Sequence, residues 1–118
     1  MHETSIARTL LEEVGERVRR AGIRGRVAAV RLRLGRMSTV VPESLKFAFE
    51  VLSRGSPLDG ARLEIEEVPV RARCRACGRG FEIDEPCFLC ESCGSPDLEI
   101  LSGNELLIDS LDVEEPEP

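Results

Sequence analysis

Hydrophobic and polar residues follow two different periods along this chain, and the changes of period mark its predicted elements. Residues 4–21 carry apolar side chains every three or four positions, which is the spacing of an amphipathic helix. Residues 42–53 repeat that spacing, and Pro42 suits the first turn of a helix. Gly22 and Gly55 follow the two segments and predict where each helix ends.

A period of two replaces the helical period at residues 26–34 and 61–70 and predicts two strands, and the short segment at 106–111 is expected to form a third. The second of these breaks its alternation near Glu67, where we expect a β-bulge. The order of elements predicts an α+β fold, in which two helices pack on a small three-stranded mixed sheet. A cysteine-containing module is inserted before the last strand.

This order also predicts how the chain is organised into domains. Residues 1–70 and 103–113 are expected to form the α+β domain, and residues 71–102 the inserted module. Residues 114–118 are acidic and rich in proline, so we expect a disordered tail.

Composition narrows the classes of protein that the chain can represent. With no Trp or Tyr and four Phe among 118 residues, the core must be mostly aliphatic. No apolar stretch approaches the roughly 18 residues of a membrane span, and Arg8 interrupts any signal-peptide segment. We therefore expect a cytoplasmic protein without a membrane partner, and its net charge of −6 argues against nucleic acid.

Four of the five cysteines form two CxxC pairs separated by twelve residues: Cys74, Cys77, Cys90 and Cys93. In a reducing compartment such cysteines are metal ligands more often than disulfides. Four thiolates supply the closed tetrahedral shell of structural Zn(II), which leaves no open position for catalysis. Because so short a module cannot be held together by burial alone, zinc binding should supply its folding energy.

The fifth cysteine, Cys87, leaves an ambiguity, because Cys87 and Cys90 also have CxxC spacing. We favour Cys93 as the fourth ligand because Gly94 follows it, just as Gly78 follows Cys77. Cys87 is then a spare thiol.

Motifs from end to end resemble the HypA/HybF family of hydrogenase and urease nickel-insertion proteins. They are the opening tripeptide MHE, the segments PESL at 42–45 and FAF at 47–49, and the cysteine pairs before a last strand. The resemblance implies a metallochaperone that delivers Ni(II) during maturation of [NiFe]-hydrogenase, with urease as an alternative client. It also implies two partners, a HypB-family GTPase and the hydrogenase large-subunit precursor, which is reached directly or through the GTPase.

The amino terminus itself offers the right donors for nickel. These are the amine of Met1, the amide nitrogen and imidazole Nδ1 of His2, which is the single histidine, and the amide nitrogen of Glu3. Four nitrogens in a square plane suit Ni(II) or Cu(II) rather than Mg(II) or Ca(II). The Glu3 carboxylate could be a direct ligand or a group that holds the imidazole.

Other readings of the cysteine module remain open at this stage. A rubredoxin-like electron carrier would hold iron in the same two knuckles, and a zinc-ribbon nucleic-acid-binding protein could contact phosphate through Arg71, Arg73 and Arg75.

No enzyme is indicated, because the chain has no catalytic triad and no phosphate-binding GxxxxGK motif. Both a monomer and a homodimer are compatible with the sequence. For a protein partner, we expect docking on the exposed face of the first helix.

Overall fold

Within residues 2–114, which a computed structural model describes, the chain forms two helices and six strands. In chain order they are α1 (His2–Ala21), β1 (Arg26–Gly35), α2 (Pro42–Ser53), β2 (Arg62–Val68), β3 (Val70–Cys74), β4 (Gly80–Ile83), β5 (Leu98–Ser102) and β6 (Leu106–Glu114). The acidic tail predicted at 114–118 lies outside the described residues apart from Glu114, which ends β6.

The two helices are those that the apolar pattern predicts. Helix α2 has the predicted bounds, and α1 begins two residues earlier than predicted, at His2. Gly22 ends α1 with a positive φ of 65°, and its N–H donates to the Arg19 carbonyl at 3.2 Å. The N–H of Ile23 reaches back to the Val18 carbonyl at 3.1 Å, so two of the last four carbonyls of the helix are satisfied.

The first sheet has the strand order β2-β1-β6 and is mixed. Strands β1 and β2 run in the same direction, since the N–H of Arg36, just after β1, donates to the carbonyl of Val68 at the end of β2, at 2.9 Å. Strand β6 runs the other way, because Gly25 lies against the carbonyl of Glu114 at the end of β6. A Cβ at Gly25 would overlap with that carbonyl, so the approach requires glycine. The last strand continues to Glu114, beyond the predicted end at residue 111.

The aliphatic core of the first sheet fills the space between it and the two helices. Fully buried side chains include Val14 of α1, Leu32 of β1 and Phe49 of α2. The remaining members are supplied by the same elements, by the segment before β2 and by β2 itself: Ala7, Leu10, Val27, Val30, Leu45, Leu58, Ala61 and Leu63. The predicted α+β fold with a small mixed sheet is thus confirmed.

A second sheet, which the sequence did not predict, has the order β4-β3-β5 and is antiparallel throughout. Ala72 at its centre is fully buried, opposite Phe81 of β4 and Ile100 of β5. Val70, Ala72 and Ile83 form a separate small core. These strands have five, four and five residues, too short for the alternation to stand out in the cysteine segment.

One strand prediction is wrong. Residues 61–70 do not form a single bulged strand, because β2 ends at Val68 and β3 begins at Val70. Pro69 separates them, and proline has no N–H to donate to a sheet ladder. The irregularity in pairing falls later, between Arg71 and Ala72 where β3 meets β5.

By their internal contacts the residues divide into two units. Among residues 2–114, one comprises 2–32, Val40–Ile65 and 108–114, and the other Arg33–Thr39 and Glu66–Leu107. The second unit contains the whole cysteine module. Among the helices of residues 2–114, neither is long and apolar enough to cross a membrane.

Candidate metal centre

The cysteine pairs lie on two turns of the same construction. The N–H of Gly78 donates to the Cys74 carbonyl at 2.8 Å, and that of Gly94 donates to the Cys90 carbonyl at 2.9 Å. Both glycines have positive φ, 82° and 75°, a conformation that side chains with a Cβ rarely adopt. The repeated Cys-Gly pattern in the sequence therefore reflects a repeated knuckle.

A second pair of hydrogen bonds closes each knuckle. The N–H of Cys74 donates to the Arg79 carbonyl at 2.9 Å, and the N–H of Cys90 donates to the Ser95 carbonyl at 2.9 Å. Since Cys74 is also the last residue of β3, the first knuckle is attached directly to the central strand of the second sheet.

The four sulfurs form a compact group. They lie within 4.8 Å of one another, and the Cys74–Cys93 and Cys77–Cys90 pairs are each 3.6 Å apart. Four thiolates about 2.3 Å from a central zinc would be about 3.8 Å apart, whereas a disulfide requires about 2.05 Å. All four are free thiols, so the arrangement fits a tetrahedral metal ion.

Backbone N–H groups prepare one of these sulfurs for ionisation. The N–H of Ser92 approaches the Cys90 sulfur at 3.4 Å. The N–H of Cys93, with that of Ser92, lowers the pKa of Cys90 to about 6, although burial opposes the change. Donors of this kind favour the thiolate, which is the form that binds metal.

The remaining thiols cannot all ionise without a cation. The N–H of Ser95 favours the Cys93 thiolate, but hydrogen bonding with Cys74 and desolvation outweigh it and raise the pKa of Cys93 to about 11. The Arg79 N–H likewise favours the Cys77 thiolate, yet Cys90 and desolvation raise the pKa of Cys77. Four negative sulfurs so close together repel one another, and a divalent ion removes that penalty.

Three arginines around the module form ion pairs with nearby acids. Arg79 contacts Glu91 at 2.9 Å and so links the two knuckles, and Arg75 contacts Asp97 at 3.2 Å. Arg73 is 3.6 Å from Glu99 on the neighbouring strand. Because Arg73 and Arg75 each face an acid, the arginine-rich segment is a poor phosphate-binding patch. The sequence did not reveal these pairs, which join residues between 12 and 26 positions apart.

Cys87 is exposed and does not belong to the group of sulfurs within 4.8 Å. Its N–H donates to the Glu85 carbonyl at 2.6 Å, which holds the segment before the second knuckle in a tight turn. The CxxC spacing of Cys87 and Cys90 is therefore not used to form a knuckle.

The predicted nickel ligands are described only in part. Met1 lies outside the described residues, and α1 begins at His2. The Glu3 carboxylate accepts a hydrogen bond from the N–H of Val41 at 3.4 Å. Val41 is the N-cap of α2, so Glu3 connects the first turns of the two helices.

Comparisons with known proteins agree with this architecture. The profile of the family described as "Hydrogenase/urease nickel incorporation, metallochaperone, hypA" matches residues 1–113. A hydrogenase maturation factor HypA from Desulfosudis oleivorans is 44% identical over 115 residues, covering 98% of this chain and 100% of the relative. A HypA from a Roseiflexus species is 43% identical over 119 residues, covering 100% and 96%.

Solved structures show the same fold. The solution structure of the Ni metallochaperone HypA from Helicobacter pylori has a TM-score of 0.70 and 25% identity, covering 98% of this chain and 100% of that one. Another HypA solution structure gives a TM-score of 0.72 with 98% of both chains covered. Proteins of this kind are maturation factors and not enzymes. With its two helices, its mixed sheet and its clustered cysteines, the chain belongs to the HypA family of hydrogenase and urease nickel-incorporation metallochaperones.

Proposed function

We propose that this protein binds Ni(II) at its amino terminus, through Met1, His2 and Glu3, and delivers it during maturation of [NiFe]-hydrogenase. The observation that carries the proposal is the start of α1 at His2. The first N–H groups of a helix have no acceptor within it. The amides of His2 and Glu3 can therefore lose their protons to a metal without breaking a helical hydrogen bond.

The electrostatics of a helix start would otherwise oppose a bare cation, because the dipole is positive there. Two deprotonated amides cancel the charge of Ni(II), and the Glu3 carboxylate adds a negative charge nearby. The resulting four nitrogen donors, with the amine and the imidazole, match the square-planar preference of Ni(II). Nickel is the cargo in this scheme, and it leaves with the acceptor.

The Glu3 side chain supports a role beside the metal in preference to a role as ligand. One of its oxygens accepts from the Val41 N–H at 3.4 Å. That bond ties the first turn of α1 to the N-cap of α2, so the carboxylate holds the ligand-bearing segment in place. We assign the amide nitrogen of Glu3, and not its carboxylate, to the nickel.

Zinc is the ion that we assign to Cys74, Cys77, Cys90 and Cys93. Its tetrahedral geometry and its preference for thiolates match the spacing of the sulfurs. Since no coordination position stays open, the metal would hold the two knuckles together and take no part in chemistry. Free thiols suit the reducing cytoplasm, where we place the protein.

For delivery, we propose a HypB-family GTPase as the direct partner and the hydrogenase large-subunit precursor as the final recipient. Family membership supports this assignment, since the relatives are hydrogenase maturation factors. A purified GTPase that neither binds the nickel-loaded protein nor accepts its nickel would contradict the assignment.

The nickel site can be tested with four proteins: the untagged wild type, a variant extended by Gly-Ser before Met1, His2→Ala, and Glu3→Gln. We expect the extended protein and His2→Ala to lose at least the roughly 10–100-fold in nickel affinity that loss of a metal's outer-shell partner costs. Glu3→Gln keeps both the amide nitrogen and an acceptor for Val41, so its affinity should stay near that of the wild type.

Calorimetric titration with Ni(II), combined with zinc analysis of the same samples, gives the answer. All four proteins should keep one zinc, because the cysteines are unchanged. Equal nickel affinity in the extended protein would refute a site that uses the terminal amine. A large loss in Glu3→Gln alone would instead make the carboxylate a direct ligand.

A further inference from the structure

Helix α2 is apolar on two sides. Its inner side buries Leu45 and Phe49 in the core. Its outer side presents Phe47, which is 66% exposed, and Val51, which is 39% exposed. These two residues are one turn apart and share a face. Because helices that are apolar all round are normally buried, the outer side has the character of a surface that another chain covers.

The outer side of α2 forms one wall of a groove. Phe47, Ala48, Val51 and Leu52 supply its apolar lining. The start of α1 contributes Glu3 and Thr4, and the first turn of α2 adds Glu43 and Ser44. Its volume of about 560 Å³ lies within the usual range for ligand pockets. A side chain or short helix bound there would lie next to Glu3, and so next to the proposed nickel ligands.

Charge decides which occupant fits this groove. Its two charged lining residues, Glu3 and Glu43, are both acids. The Glu43 side chain is 84% exposed, and the nearest ammonium, that of Lys46, is 3.6 Å away, so little of its charge is neutralised. An apolar segment with Lys or Arg beside it is therefore attracted, and one with acidic neighbours is repelled.

The same charges disfavour two other occupants. The chain's own carboxyl-terminal sequence, VEEPEP, is acidic and would meet like charges at the rim. A second copy placed by a two-fold axis would present the same acidic rim to its partner. Neither of these occupants supplies a positive charge to face Glu3 and Glu43.

We infer that the groove formed by Phe47, Ala48, Val51, Leu52, Glu3 and Glu43 docks an apolar segment flanked by Lys or Arg. We assign that segment to the protein that accepts the nickel, an assignment that rests on the proposed function. Docking there brings the acceptor beside the amino terminus, which raises the effective concentration of its metal ligands at the site of transfer. This proposal places the docking surface in the groove, whereas the sequence alone favoured the exposed face of α1.

The test uses two synthetic twelve-residue peptides with the same Leu-Phe-Leu centre, one flanked by arginines and the other by glutamates. Each is titrated into untagged, nickel-free protein with its cysteine site loaded, and backbone amide shifts are recorded. The arginine peptide should bind and shift amides at residues 3–4 and 43–52, and the glutamate peptide should bind at least about tenfold more weakly.

Matched variants separate the groove from other surfaces. Phe47→Ser and Glu43→Lys should each weaken the arginine peptide by about tenfold or more. Leu107→Ser removes a leucine that is 54% exposed but lies on β6, and Glu12→Lys reverses an acid on the exposed face of α1. Both controls should bind as the wild type does.

Several outcomes would overturn the inference: no binding of the arginine peptide, equal binding of both peptides, or shifts located elsewhere. A wild type that sediments as a dimer and becomes monomeric on Phe47→Ser would also overturn it, because a second copy would then cover the groove. His2→Ala should lose nickel and keep the peptide. If nickel binding is unaffected by His2→Ala while peptide binding follows Phe47, the nickel proposal falls and the groove stands.

Discussion

Arg31 on β1 forms a bidentate ion pair with Asp112 on β6. Its Nη1 donates to Oδ1 and its Nη2 to Oδ2, both at 2.6 Å. The Nε of the same guanidinium lies 3.3 Å from Glu64 on β2. One side chain on the central strand therefore contacts both edge strands, across 81 residues in the case of Asp112. Paired geometry of this kind is the stronger form of an arginine–carboxylate contact.

This ion pair predicts a pH-dependent contribution to stability. Hydrogen bonding and charge attraction from Arg31 lower the pKa of Asp112 below its ordinary value of 3.8. A carboxyl whose pKa is lower in the folded state stabilises the protein above its unfolded-state pKa, and the contribution is lost as the pH falls through the folded-state value. The wild type should therefore be more stable than Asp112→Asn at neutral pH, and the difference should disappear in acid.

Urea unfolding at a series of pH values from about 7 to 2.5 measures the difference directly. Asp109→Asn is the matched control, because Asp109 is exposed on the same strand. A gap between wild type and Asp112→Asn that persists unchanged below about pH 3 would show that it comes from packing and not from the charge.

Two phenylalanines of α2 predict opposite responses to truncation. Phe49 is 1% exposed and lies in the first core, so Phe49→Ala should lower the free energy of unfolding by about 3–5 kcal/mol. Phe47 lies on the outer side of the same helix, and Phe47→Ala should change it by no more than about 0.5 kcal/mol. Chemical denaturation of the two variants measures both changes. A comparable loss of unfolding free energy in the two would contradict the exposed placement of Phe47.

Some elements of the fold are determined by residues close together in the sequence, and others by pairing between distant residues. Pro42 and the apolar spacing determine α2, and the Cys-Gly repeats determine both knuckles, so each can be predicted from a few neighbouring residues. The second sheet depends on pairing between residues that are far apart, such as Ala72 with Ile100. Burial of the short residue Ala72 leaves no strong apolar signal in the sequence.

The candidate sites divide in the same way. The spacing of the cysteines contains enough geometry to predict a shared ion, and the structure brings the four sulfurs together. The groove was not foreseen, although its signal was present: α2 has apolar residues at Phe47 and Val51 in addition to the stripe that faces the core. The Arg31–Asp112 pair could not be found from sequence, since β1 carries three arginines and β6 three acids, and the sequence does not show which of them meet.

Gly103 and Gly15 predict opposite effects of the same substitution. Gly103 has a φ of 115°, and a Cβ there would lie 2.8 Å from the Cα of Val70, so Gly103→Ala should cost at least about 2 kcal/mol. Gly15 lies within α1, where the nearest atom to an added Cβ is 3.7 Å away. Gly15→Ala should stabilise the helix by about 0.5–1 kcal/mol. Thermal unfolding tests both, and a stabilised Gly103→Ala would contradict the close approach to Val70.

Removal of the metal should unfold the cysteine module before the rest of the chain. The small core of Val70, Ala72 and Ile83 offers little burial, so we expect the bound ion to supply most of the module's folding energy. After complete chelation, we expect amide hydrogen exchange to become fast at residues 74–95 and to stay slow in the first core. Unchanged protection at residues 74–95 would contradict this.

The fifth cysteine gives the sharpest test of which sulfurs hold that metal. Cys93→Ser removes one of the four clustered sulfurs and should abolish tight zinc binding, with the same loss of protection as chelation. Cys87→Ser alters a thiol outside the cluster and should leave zinc stoichiometry and protection unchanged. If Cys87→Ser lowered zinc affinity and Cys93→Ser did not, Cys87 would be the fourth ligand, and the second knuckle would have to form from Cys87 and Cys90.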